Sequence, residues 1–260
     1  MNNFNAVKVK NDCVQWIRDY FKDNPDGKAI LGISGGKDST IAAALCVEAL
    51  GADRVIGVMM PCGEQKDLND ARRVCAKLGI TGMIINIGAA YRNLCNWVEG
   101  ENNYMPLPPV ITTNAPARVR MTVLYMIAGL YPHSRVVNTC NRSEDYVGYS
   151  TKFGDAAGDF SPLGNLTVHE VLAIGDELNL PYDLVHKTPS DGMCGKSDED
   201  NLGFTYEELD DYLLNGTECK TDLETIKKIE KMHRATRHKY QSMPMFLRSV
   251  VEPFIDEILF

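Results

Sequence analysis

Ala29-Ile30-Leu31-Gly32-Ile33-Ser34-Gly35-Gly36-Lys37-Asp38-Ser39 is the stretch on which the fold turns. Its first five residues form a short apolar run that reads as a buried strand. Ser34-Gly35-Gly36 then makes a turn, and residues 39–50, rich in alanine, read as a buried helix. The same alternation repeats downstream, with residues 55–60 as strand, 68–78 as helix, 83–87 as strand and 91–98 as helix. Repeated βα units predict an α/β fold: a doubly wound parallel sheet with helices on both faces and right-handed crossovers.

Outward from this stretch the pattern stays regular. Residues 5–23 place Val9, Cys13, Trp16, Ile17 and Tyr20 near helical spacing and end at Asn24-Pro25-Asp26-Gly27, a turn. Residues 99–113 hold three prolines and little periodicity, which predicts a long loop. Asn114-Ala115-Pro116 is read as opening an apolar helix, with Asn114 as cap and Pro116 in the first turn. Residues 135–140 read as a further strand, and helices follow over 167–178, 206–214 and 221–237. Thr205-Tyr206-Glu207-Glu208 resembles a capping box displaced by one residue. Residues 190–201 are polar, charged and glycine-containing, and read as a mobile loop. No internal repeat or low-complexity tract interrupts the chain, and residues 1–260 are expected to form one domain.

Composition narrows the function. The 260 residues are 44% hydrophobic and 24% charged, the mix of a globular protein. Lys plus Arg number 27 against 35 for Asp plus Glu, and the net charge of −8 argues against a general nucleic-acid or membrane-surface binder. Anionic ligands would then need a local basic site. No stretch approaches the ~20 apolar residues of a membrane span, and the N-terminus lacks a secretory pattern. Eight scattered cysteines form no CxxC pair. They read as thiols of a reducing compartment, so a cytoplasmic location is expected.

The loop at 34–39 carries the chemistry. Small residues between a strand and a helix N-terminus present free N–H groups to an anion, which predicts a phosphate site. It is not a Walker A loop: Leu31 stands where the first glycine would be, and Asp38 follows Lys37 where Ser or Thr is required. Nor is it the dinucleotide fingerprint, since Ser34 takes the second glycine position after Gly32. An acid inside a phosphate cradle is unfavourable without a divalent cation between them, so Asp38 predicts Mg²⁺. Lys37 either adds charge there or points to solvent. Two adjacent glycines alone would signal only a tight turn.

Position and composition together resemble the pyrophosphatase loop of ATP-cleaving adenylyl transferases, in which the loop holds the pyrophosphate leaving group. The second half is more specific. Ala117-Arg118-Val119-Arg120-Met121, Asn138-Thr139-Cys140-Asn141-Arg142-Ser143-Glu144, Thr151-Lys152-Phe153-Gly154-Asp155 through Asp159, Lys187-Thr188-Pro189-Ser190 and Arg237-His238-Lys239 occur in an order and spacing similar to NAD synthetases. The resemblance runs from about Gly32 to Lys239. It implies an adenine nucleotide alpha hydrolase-like fold and the ATP-dependent amidation of deamido-NAD to NAD.

The resemblance assigns Gly32, Ile33, Ser34, Gly35, Gly36, Lys37, Asp38, Ser39, Thr139 and Ser190 to ATP. It gives Asp38 and Glu144 to Mg²⁺, and Arg118, Lys152, Asp159, His238 and Lys239 to deamido-NAD. Asp38 and Lys152 are the residues assigned to catalysis. Arg118 and Arg120, two apart on a helix, face different ways; Arg118 is taken as the ligand contact and Arg120 as a surface or ion-pair residue. Asp155 is as readily an i,i+3 partner of Lys152 as a catalytic group. Where the family usually has a lysine that contacts ATP, this chain has Val168. A neutral side chain cannot replace that charge, which turns attention to Lys187 and Lys37.

The implied reaction forms a mixed anhydride between the pyridine carboxylate and AMP, which ammonia then attacks. Residues 99–113 and 190–201 are the segments expected to exclude water. Because the resemblance consumes nearly the whole chain and leaves no glutaminase region, free ammonia is the expected nitrogen donor. A homodimer follows from the resemblance alone. The alternatives are another ligase of the same loop group, such as a tRNA-modifying enzyme, and a nucleotide sensor without catalysis.

Overall fold

The structure is a computed structural model that describes residues 4–64, 67–103, 105–187 and 198–246. Its centre is a four-stranded parallel sheet in the order β3-β2-β1-β4, formed by β1 (Ala29–Gly32), β2 (Val55–Met59), β3 (Thr81–Ile84) and β4 (Arg135–Val136). β1 pairs β2 from Ala29 opposite Val55 to Gly32 opposite Val58, and pairs β4 through Ala29 and Ile30. An isolated parallel bridge between Val137 and Phe160 extends the sheet beyond β4.

Helices α1 (Ala6–Tyr20), α2 (Lys37–Leu50), α3 (Leu68–Leu78), α4 (Gly88–Glu101) and α5 (Pro109–Ala128) alternate with these strands. Then come α6 (Arg142–Val147), α7 (Val168–Asp176), α8 (Tyr182–Val185), α9 (Asp198–Leu202), α10 (Tyr206–Asn215) and α11 (Leu223–Thr236). Alternation along each strand splits the core. Ala29 and Leu31 of β1 with Val55 and Met59 of β2 face α1, α2 and α7 on one side. Ile30, Ile56 and Val58 face Met121, Leu124 and Ile127 of α5 on the other. A third cluster joins α6, α7, α10 and α11 through Val147, Val168, Leu209 and Ile229. The chain order reverses between β1 and β4, so the carboxyl ends of those strands are the place where an open α/β sheet leaves a crevice.

Several expectations need correction. Residues 99–113 are not one long loop: α4 continues to Glu101 and α5 begins at Pro109, so Asn114 lies inside the helix rather than capping it. Pro109 is at the first helical position, where a missing N–H costs nothing. Pro116 falls seven residues later and is buried in the interior of the helix. β3 starts at Thr81 and has mostly exposed side chains, as an edge strand does, which is why an apolar reading misplaced it at 83–87. β4 keeps only two ladder residues of the expected 135–140. The capping box at Thr205 is in register: the Thr205 hydroxyl accepts from the Glu208 N–H, and the Glu208 carboxylate accepts from the Thr205 N–H. Thr167 and Glu170 form a second box at the start of α7. Of residues 190–201, those up to 197 lie outside the described residues, and the remainder belong to α9.

Candidate functional site

The loop between β1 and α2 is built for an anion. Gly36 caps α2 without a side-chain acceptor, so no cap side chain takes up the N–H groups of the first turn. Gly35 has φ +82°, and a Cβ there would lie 3.0 Å from the Ala71 nitrogen and the Asp67 oxygen. Only glycine allows the loop to lie so close to the start of α3. Ser34 and Ser39 brace the turn: the Gly36 N–H donates to the Ser34 hydroxyl at 3.1 Å, and the Ser39 hydroxyl donates to the Gly36 carbonyl at 3.1 Å.

A cleft of about 660 Å³ opens from this loop across the ends of β1, β2 and β4. Gly32, Ile33, Ser34, Gly36, Lys37, Asp38, Ser39, Thr139 and Glu144 all line it, together with Lys187 and Lys239. The residues the sequence assigned to ATP and to a cation therefore meet, apart from two. Gly35 packs behind the loop against α3, and Ser190 lies outside the described residues.

The two residues assigned to a cation are tied together by one residue the sequence reading missed. Asn141, fully buried at the cap of α6, donates from its side-chain amide to Asp38 at 3.1 Å and accepts from the Glu144 N–H at 3.0 Å. The signal was present in the sequence, since Asn141 stands three residues before an acid at a helix start. Between the carboxylates lies the Lys37 ammonium, 2.6 Å from Asp38 and 3.9 Å from Glu144, with its side chain only 5% exposed. Burial, reinforced by the charge of Asp38, pushes the Glu144 carboxyl up to about 8, while Lys37 pulls the other way. The Lys37 ammonium is itself held above its usual range: burial opposes the charge, but Asp38 and Glu144 outweigh it.

These residues fit a hard divalent cation. Both donors are carboxylate oxygens. Directly beside them, the hydroxyl of Tyr206, itself 4% exposed, has no hydrogen-bond partner among the described residues. A buried orphan hydroxyl near clustered carboxylates matches the water shell that such an ion retains.

Of the residues assigned to the nucleotide acceptor, Lys239 lines the main cleft and Arg118 a separate hollow beside α5. Arg118 lines a shallow hollow with Met121, Tyr125, Met126 and Phe153, and its Nε donates to the Lys152 carbonyl at 3.2 Å. Lys152 Nζ donates to the His238 carbonyl at 2.7 Å. Lys239 Nζ donates to the carbonyls of Gly148 and Ser150, each at 2.7 Å. Arg118, Lys152 and His238 are thus linked in series through backbone carbonyls, and Lys239, next in sequence, anchors the 148–150 turn. Asp159 accepts from the Tyr125 hydroxyl at 3.1 Å and from the Val136 N–H at 2.7 Å.

Three side chains differ from expectation. Arg120 is no surface residue: it lines the main cleft and donates to the Met60 carbonyl at 3.0 Å, which the two-residue spacing from Arg118 could not reveal. Asp155 makes no ion pair with Lys152 among the described residues; its carboxylate accepts from the Thr151 N–H at 3.0 Å, and it lines the cleft near Lys239. Val168 is 4% exposed and packs with Leu202, Phe204 and Tyr206, far too apolar a setting for a phosphate contact. Two cations border that cluster: the Lys37 ammonium lies 5.9 Å from the centre of the Tyr206 ring, on the cleft side, and the Lys228 ammonium 5.6 Å from that of Phe204. Lys187, the other lysine considered for that charge, also lines the cleft and is bound to Asp67 at 2.7 Å and Asp70 at 2.8 Å.

The sequence profile of the NAD synthase family matches residues 9–244. The chain is 36% identical over 243 residues to the NH(3)-dependent NAD(+) synthetase of Methanoregula boonei, covering 90% of this chain and 94% of that protein. It is 34% identical over 271 residues to the one from Pyrococcus furiosus, covering 100% and 99%. Among solved structures, NMN synthetase from Francisella tularensis superposes with a TM-score of 0.85 at 32% identity, covering 94% of this chain and 99% of that one. NH3-dependent NAD synthetase from Campylobacter jejuni superposes at 0.72 with 28% identity, covering 94% and 100%.

Proposed function

The chain belongs to the NAD synthase family, and from that premise we propose that it joins ammonia to deamido-NAD at the expense of ATP, releasing NAD, AMP and pyrophosphate. The observation that carries this reading is the meeting of an anion-binding helix start, two carboxylates and the cationic side chains of Lys37, Arg120, Lys187 and Lys239 around one cleft at the reversal of strand order. Relatives of nearly the same length named for ammonia support it as the nitrogen donor.

A pyridine carboxylate is a poor electrophile, so it is first activated by attack on the α-phosphate of ATP, giving an acyl-adenylate. The loop 34–39 receives the departing pyrophosphate with its N–H groups, which cost no reorganisation because the turn is already braced. Asp38 and Glu144 would hold Mg²⁺, which when bound offsets the charge on the phosphates. Thr139, at the end of β4, and Arg120 face the same cleft and position the nucleotide. Arg118, Lys152, His238 and Lys239 orient the acidic dinucleotide, and Asp159 suits its ribose hydroxyls. No protein nucleophile is needed: ammonia attacks the anhydride carbon, and AMP leaves.

We assign the exposed apolar side chains of α4, α5 and the turn after α5, among them Trp97, Met126 and Leu130, to the interface of a homodimer. A single domain and a cytoplasmic location complete the reading. No described helix is long and apolar enough to cross a membrane.

The test is incubation with ATP, Mg²⁺, deamido-NAD and ammonia, following NAD. Absence of NAD, with Asp38→Ala indistinguishable from wild type, overturns the reading. A second reading, in which nicotinic acid mononucleotide is the acceptor, is favoured by the NMN synthetase superposition. The two acids offered in competition separate them, and a higher kcat/KM for the mononucleotide transfers the assignment.

A further inference from the structure

We propose that the Lys37 ammonium is an internal competitor for the divalent cation, occupying the gap between Asp38 and Glu144 until a metal ion displaces it. The inference rests on the assignment of those two carboxylates to a metal.

The geometry supplies three reasons. Lys37 follows Gly36 at the first helical position of α2, and its side chain reaches the place where Asn141 ties the Asp38 carboxylate to the backbone N–H of Glu144. Its Nζ is 2.6 Å from Asp38 and 3.9 Å from Glu144, with the side chain buried, so it takes up the lone pairs a cation needs. The ammonium also lies 5.9 Å from the centre of the Tyr206 ring, whose hydroxyl is unpartnered among the described residues. One site cannot hold both a lysine ammonium and a divalent ion at these distances, because like charges in a poorly hydrated pocket repel strongly.

Displacement has a direction. Lys37 lines the cleft beside Ser34 and Ser39, where nucleotide phosphates are to lie. A lysine leaving the two carboxylates has Asp198 on the same cleft as a further acid, and bound nucleotide adds several phosphate oxygens, which makes the exchange more favourable. Metal binding is weak alone and strong with nucleotide, so the two ligands load together.

The experiment is Mn²⁺ binding to the intact protein, followed by the loss of the free-ion paramagnetic resonance signal. Without nucleotide, Lys37→Met binds Mn²⁺ about 10- to 100-fold more tightly than wild type, the range of one charge-assisted hydrogen bond. Adding a non-hydrolysable ATP analogue tightens Mn²⁺ binding in wild type more than in the variant. Equal or weaker binding by Lys37→Met overturns the proposal. If Glu144→Gln also binds Mn²⁺ like wild type, the metal assignment itself falls; if only Glu144→Gln loses binding, the assignment stands and the role of Lys37 does not. Acetylation of wild-type lysines, read by mass spectrometry, needs no variant to fold. Mn²⁺ raises the labelling of Lys37, and unchanged or lower labelling contradicts displacement.

Discussion

The carboxylate of Asp159 accepts a hydrogen bond from the backbone N–H of Val136 at 2.7 Å, and the Asp159 N–H donates to the Val136 carbonyl at 2.8 Å. Asp159 thus closes the open edge of β4 as a neighbouring strand would. Asp159→Ala leaves the buried Val136 N–H without its partner and costs about 1–3 kcal/mol, read as a lower melting temperature. Asp159→Asn keeps an acceptor oxygen and loses less stability. If Asn restores stability but not the KM for the acidic nucleotide, the carboxylate also contacts the ligand.

Asp38→Ala removes one of two cation donors and the partner of Asn141. Its kcat falls by about 1000-fold, the order of several kcal/mol of lost charge stabilisation. The fold survives, because the loop is braced by Ser34 and Ser39 rather than by Asp38. Steady-state kinetics alongside circular dichroism check both parts.

Glu144 sets a pH dependence in the ligand-free protein. Its carboxyl lies at about 8 in the fold against an ordinary value of 4.5, so between these values the folded state holds a proton that the unfolded state has released. The stability from that proton is complete below about pH 4.5 and is lost as pH rises through about 8. Glu144→Gln carries no titrating group, so its melting temperature gains on that of wild type across this window. A difference independent of pH would contradict the assignment.

Lys152→Met breaks the bond to the His238 carbonyl and removes a cation from the acceptor side. The KM for the acidic nucleotide rises by about 10- to 100-fold, while the KM for ATP changes little.

Trp97 is 67% exposed and Met126 69%, on α4 and α5. The double variant Trp97→Glu/Met126→Glu places charges on the proposed dimer face, where burial without partners is costly. Analytical ultracentrifugation is expected to show a monomer; an unchanged dimer would locate the interface elsewhere.

The phosphate loop, the central strands and α2 were readable in the sequence because burial on both faces leaves an unbroken apolar run. Edge strand β3 has no such run and was misplaced. The start of α5 was hidden by proline, which reads as a breaker unless it sits at the first helical position, as Pro109 does. In the site, the resemblance located residues that share a cleft; spacing told that Arg118 and Arg120 face different ways, but not that Arg120 is the one that faces the main cleft. Asn141 was overlooked because it contributes by orienting Asp38 and Glu144, and such service leaves no mark of its own in a motif.

The basic groups around the acceptor hollow already have partners: Arg118 on the Lys152 carbonyl, Lys152 on the His238 carbonyl, and Lys239 on two carbonyls of the 148–150 turn. An incoming anion must exchange with these oxygens, and one negative charge gains little from a single exchange. A molecule bearing several anionic groups exchanges many at once, so affinity climbs with the number of anionic groups faster than with molecular size. If these residues receive the acidic nucleotide as proposed, the network screens out small carboxylic acids, the pyridine acid without its phosphates included, before any contact with the ring is made.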